Sequence, residues 1–141
     1  MEEKGNDIFV RGVKYETLNR NRFFVRFPKE SNIQEWWVQS VKKDPFIFGL
    51  ERDGTIVIKF KEIDNWGDYR FVEEMKKFNK LDNRTIIFED LDKTGCVLAG
   101  EEYKNSKAIE IYFTPCDYNE NKPKYCTVVF QYEDVSPIIK E

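Results

Sequence analysis

Alternation with a period of two residues dominates this chain, and a single segment breaks it. NRFFVRFP (21–28) sets Phe23, Val25 and Phe27 on one side and Arg22, Phe24 and Arg26 on the other, and Pro28 stops the run. IQEWWVQSVKK (33–43) reads as a second strand, with Trp36, Val38 and Ser40 opposite Trp37, Gln39 and Val41. After an Asp53-Gly54 turn signal, Ile56, Ile58 and Phe60 point away from Val57, Lys59 and Lys61. TIIFEDLDKTGCVLAGEEY (85–103) continues strand chemistry on both sides of a DKTG turn. AIEIYF (108–113) aligns Ile109, Ile111 and Phe113, and YCTVVFQYE (125–133) aligns Cys126, Val128, Phe130 and Tyr132. Such strands need one buried face and tolerate a wet one.

The exception is WGDYRFVEEMKKFNK (66–80), where Phe71, Met75 and Phe78 recur at i, i+4 and i+7 with Val72 beside them. Glu73, Glu74, Lys76 and Lys77 occupy the other side, so the segment reads as one amphipathic helix with Asp68 as its N-cap. The fold class is therefore mainly β with one α-helix: a small β-sandwich or barrel of about seven strands. Residues 1–20 read as an N-terminal arm with one short strand at Ile8, Phe9 and Val10. Residues 21–135 form the β domain, and residues 136–141 a short tail.

A length of 141 residues fits one domain with a real core. A net charge of −3 argues against a broad nucleic-acid-reading surface. No apolar run approaches the roughly 20 residues of a membrane-crossing helix, and MEEKGNDIFVRG lacks the apolar stretch of a signal peptide, so membrane insertion is not expected and synthesis is placed in a cytoplasm. The chain has no histidine, the commonest general base and metal ligand. Cys96, Cys116 and Cys126 show no CxxC spacing. Cys116 and Cys126 are symmetric about Asn121 and could face each other across a hairpin, but free thiols are expected.

DLDKTGCVLAGE (90–101) has oxygen-bearing side chains at the spacings of a calcium loop: Asp90, Asp92, Thr94 and Glu101, with Gly95 at the sharp turn. The approach, Thr85-Ile86-Ile87-Phe88, favours a strand rather than the required helix, so a hairpin turn is expected. Carboxylate pairs such as Glu73-Glu74 and Glu101-Glu102 read as solvated surface. No catalytic residue, metal site or cofactor is assigned, and no enzyme is expected. Trp36 and Trp37 are adjacent, so on a strand they face opposite ways: both in core, one at a subunit interface, or one a carbohydrate platform.

The order of these elements resembles the tail-tube proteins of contractile-tailed bacteriophages, which are related to type VI secretion tube proteins. The shared features are Asn21-Arg22-Phe23 after a short arm, a lone helix, a D-x-x-G hairpin from Asp92 to Gly95, Asp117-Tyr118 in the last loop, and Tyr132 with Asp134 at the end. The resemblance spans residues 20–135; the tandem tryptophans and three cysteines depart from it. It implies a structural protein whose sheet joins five others into a hexameric barrel, with rings stacked into a tube. The expected partners are copies of itself, sheath, baseplate or neck proteins, and viral DNA passing through without specific binding. The expected location is the tail of a virion assembled in a host bacterial cytoplasm. A baseplate or secretion-system tube component, and a small β-barrel binding module, are the alternatives.

Set on that architecture, the mixed faces place Gln39, Lys59, Lys61, Glu110, Thr127 and Gln131 toward the lumen of a neutral or acidic channel. Phe46, Phe48, Leu50 and Asp53 become contacts between stacked rings, because Phe46 and Phe48 are apolar in a loop.

Overall fold

The computed structural model describes residues 7–10, 13–16, 18–44, 54–62 and 67–139. β1 (Asp7–Val10) and β2 (Val13–Glu16) form a hairpin of their own. A four-stranded sheet joins β3 (Phe23–Arg26), β6 (Ile86–Leu91), β7 (Val97–Lys104) and β10 (Asp134–Ile139) in the order β10-β7-β6-β3. A second joins β4 (Val38–Lys43), β5 (Gly54–Lys61), β8 (Lys107–Phe113) and β9 (Tyr125–Tyr132) in the order β4-β5-β9-β8. Every pairing is antiparallel. The helix α1 spans Asp68–Phe78. The architecture is a mainly β, sandwich-like fold whose two sheets do not close on each other.

The alternation read from the sequence decides the core. Ile56, Ile58 and Phe60 of β5 pair with Phe130, Val128 and Cys126 of β9, and all six side chains are fully buried. The opposite sheet contributes Val25, Ile86, Phe88 and Tyr103. Phe27 bridges the layers, with ring centroids 5.7 Å from Phe60 and 6.5 Å from Phe130. Burying each such ring is worth about 2–3 kcal/mol.

The helix inserts the predicted stripe into this core. Phe78 meets Phe130 edge-on at 5.4 Å, and Phe71 lies 6.2 Å from Phe60. Phe71, Met75 and Phe78 are buried. The presumed wet side differs in one place. Glu74 is buried, and its carboxylate accepts from Asn32 N at 3.2 Å and from Asn32 Nδ2 at 3.3 Å, tying the 28–34 segment to the helix. The N-cap is Gly67, not Asp68, which is the first helical residue; its negative charge there favours the helix N-terminus.

Other boundaries shift too. The expected strand 33–43 is a 3₁₀ turn at Glu35–Trp37 followed by β4. The arm region holds the β1–β2 hairpin rather than one strand, and the expected tail 136–141 gives its first four residues to β10, paired with β7. In the β4-β5-β9-β8 sheet two bulges reset the strand parity. One at Gln39 leaves both Val38 and Val41 opposite the core residues Phe60 and Ile58. The other at Ile109 moves Ala108 to the inner face in its place, with Ile111 and Phe113, and leaves Ile109 exposed.

Candidate assembly surfaces

The outer face of the β4-β5-β9-β8 sheet gathers most residues expected at a lumen. Lys59 pairs with Thr127, and Gln131 stands between Thr55 and Lys107. Lys61 lies opposite Tyr125, and Lys59 Nζ sits 4.2 Å above the Tyr125 ring. Glu110 is outward on β8, where the Tyr112 hydroxyl donates to it. Five of the six thus share one face, and Gln39 is exposed at the β4 bulge beside it. Ser40 and Lys42 complete the face on β4. The expectation of a neutral or acidic wall does not match this surface: Lys42, Lys59, Lys61 and Lys107 stand against Glu110 among its described strand residues.

The sandwich is open along its sides. Among the described strands, β3 and β10 border one sheet and β4 and β8 the other. Between β3 and β4 runs a cleft of about 940 Å³, lined by Phe23, Val25, Trp36, Val38, Val41 and Phe88 with polar neighbours. On the far side, the free edge of β8 is partly covered. Asn79, just past the helix, donates from Nδ2 to Ala108 O at 2.9 Å and accepts from Ala108 N at 2.8 Å. Pro137 in β10 has no N–H to offer a further strand.

The tandem tryptophans divide. Trp37 is buried, 6.3 Å from the Phe71 ring under the helix, whereas Trp36 is 63% exposed at the rim of the cleft. A 3₁₀ turn, not a pleated strand, carries them. Phe46, Phe48, Leu50 and Asp53 lie outside the described residues.

The calcium-like loop is a hairpin turn. Asp92 Oδ1 accepts from Thr94 N, Thr94 Oγ1 and Cys96 N at 2.6–2.9 Å, and Gly95 adopts φ +90°. Those bonds engage one of the two Asp92 carboxylate oxygens within the turn itself. Glu101 points inward, receiving Lys43 Nζ at 2.6 Å and the Tyr103 hydroxyl at 2.8 Å. Lys43 also lies 3.7 Å over the Phe88 ring, so it straps the two sheets together. Among the described residues, no group of three or more histidine, cysteine or acidic side chains is placed to hold a metal.

The cysteines do not meet: Cys96 and Cys116 are exposed, and Cys126 is buried, its thiol pushed up to about 12 mainly by that burial. Near it, Lys124 Nζ stands 3.9 Å from Glu62 Oε2 and 3.5 Å from Asp68 Oδ1. Burial first, then a hydrogen bond to Asp68, raises the Glu62 carboxyl to about 7 despite the lysine. Among the described residues neither oxygen has another hydrogen-bond donor, and a proton on Glu62 would satisfy both. Sequence reasoning missed this group, because no spacing links 62, 68 and 124.

Solved structures share this architecture over most or all of its length. The tube-terminating cap of the anti-feeding prophage matches over 99% of this chain and 100% of its own, at 13% identity and a TM-score of 0.68. The fold is that of contractile-injection tube and cap proteins. The sheath/tube terminator of the extracellular contractile injection system PVC matches over 88% of this chain and 98% of its own, at 11% identity and a TM-score of 0.66. A chain of the PVC sheath-tube complex matches over 87% of this chain and 92% of its own, at 11% identity and a TM-score of 0.62. No protein-family model matches the sequence, and no curated protein does.

Proposed function

We propose that this chain is a structural subunit of the tube, or of the cap ending the tube, in a phage-like contractile particle. The observation that carries this reading is the end-to-end match to the anti-feeding prophage cap, with almost nothing left over on either chain. The open sandwich supports it. Edge strands expose unpaired backbone groups, and closing six protomers into a ring removes those edges. In this reading β3 and β4 of one copy meet the β8–β10 side of the next, and Trp36 fills the seam. The outer face of β4-β5-β9-β8 lines the channel, and the loop bearing Phe46, Phe48, Leu50 and Asp53 meets the next ring. Sheath, baseplate or neck proteins contact the outside, and assembly takes place in the cytoplasm of the producing cell. Genome passage is the element of the expected function that the lysine face supports least, because a basic wall retards a polyanion.

Light scattering on purified protein, with negative-stain imaging, tests the proposal. Six copies of the 16.9 kDa chain give a ring of about 100 kDa. Discrete rings support a cap, and rods support a tube body. A monomer at every concentration up to the millimolar range overturns both.

A further inference from the structure

The chain carries a net charge of −3, yet one face of it is basic. Among the described strand residues on the outer side of β4-β5-β9-β8, Lys42, Lys59, Lys61 and Lys107 stand against a single acidic residue, Glu110, whose carboxylate is already engaged by the Tyr112 hydroxyl. The centre of the same face is apolar. Val57 and Val129 are directly paired across β5 and β9 and are half-buried. Lys59 and Lys61 both follow Val57 on one side along β5, with Thr55 on the other, Lys42 lies beside Val57 on β4, and Lys107 sits at the outer strand.

We infer that this face docks an acidic amphipathic polypeptide: an apolar stripe seated on the valine pair, with carboxylates reaching the surrounding lysines. An apolar centre within a polar rim is the usual anatomy of a protein interface. Opposite charges then steer the partner and fix its orientation. A nucleic-acid backbone would use the lysines but not the valines, so the apolar centre favours a polypeptide over DNA. The inference rests on the chemistry of the face and holds for a single protomer.

The test uses the full chain and three fluorescein-labelled probes: a 20-residue peptide with leucine on one helical face and glutamate on the other, poly-glutamate of equal length, and a 20-base-pair DNA. Fluorescence anisotropy at low and moderate salt measures binding. The amphipathic peptide binds tightest, its affinity falls with salt, and Lys59→Glu/Lys61→Glu weakens it at least tenfold. Val57→Ser weakens the amphipathic peptide but not poly-glutamate. Lys76→Glu/Lys77→Glu, on the exposed side of the helix, leaves binding unchanged. Thermal unfolding confirms that each variant is folded, and Lys59→Gln/Lys61→Gln replaces the charge reversal if that variant is not. DNA binding tighter than the peptide, equal loss in the helix variant, or no peptide binding at all overturns the inference. Failure of the protein to form rings, with peptide binding intact, would count against the tube proposal alone.

Discussion

Asn79 holds Ala108 by both of its backbone atoms, donating to the carbonyl at 2.9 Å and accepting from the amide at 2.8 Å. One side chain at the helix end thus does what a neighbouring strand would do for the edge of β8, next to its bulge. Asn79→Ala leaves a part-buried amide and carbonyl without partners, which costs about 1–3 kcal/mol. Asn79→Asp keeps the acceptor, loses the donor and falls between the two. Urea unfolding monitored by tryptophan fluorescence measures both losses.

Truncation should cost far more on the buried face of the helix than at the exposed rim of the cleft. Phe78 is fully buried against Phe130, so Phe78→Ala should cost about 3–5 kcal/mol. Trp36→Ala, at the exposed rim, should change protomer stability by less than about 0.5 kcal/mol. Paired denaturation curves check this contrast, and equal losses would place Trp36 in the protomer core.

Thiol chemistry should separate the three cysteines. Cys96 and Cys116 are exposed, whereas burial holds the Cys126 thiol up at about 12. Ellman's reagent should titrate two thiols promptly in the native protein and the third only in denaturant. A value of one or fewer before reduction would reveal a disulfide that this structure does not contain.

Glu62 should make stability fall as pH rises. Its folded value of about 7 lies above the ordinary 4.5, so between these values the folded chain keeps a proton that the unfolded chain releases. Stability contributed by this group is complete below about pH 4.5, declines through the window and stays low above pH 7. Glu62→Gln, which mimics the protonated form, should match the wild type near pH 4 and exceed it by about 1–2 kcal/mol at pH 8. Chemical denaturation at the two pH values decides, and identical differences at both would contradict the assignment.

Where the chain obeys one period over many residues, the sequence was readable. The stripe Phe71, Met75 and Phe78 predicted the helix face, and β5 and β9 alternate without interruption, so their buried and outward sets follow directly. What escaped is set by single residues. The bulges at Gln39 and Ile109 each flip the parity of a strand without leaving a periodic signal. The 3₁₀ turn at Glu35–Trp37 is too short to have a period, and β-favouring tryptophans made it look like strand. Pro137 disguised β10 as a tail, although an edge strand tolerates proline. The lysine face was legible residue by residue, but its net charge emerged only when four strands were placed side by side.

An electron cryomicroscopy map of the assembled protein tests the central claim most directly. The account predicts a six-fold ring in which Lys59, Lys61, Thr127 and Gln131 face the channel and Trp36 lies in the seam between neighbouring copies. A ring that turns this lysine face outward, or particles that never exceed one or two chains, would contradict it.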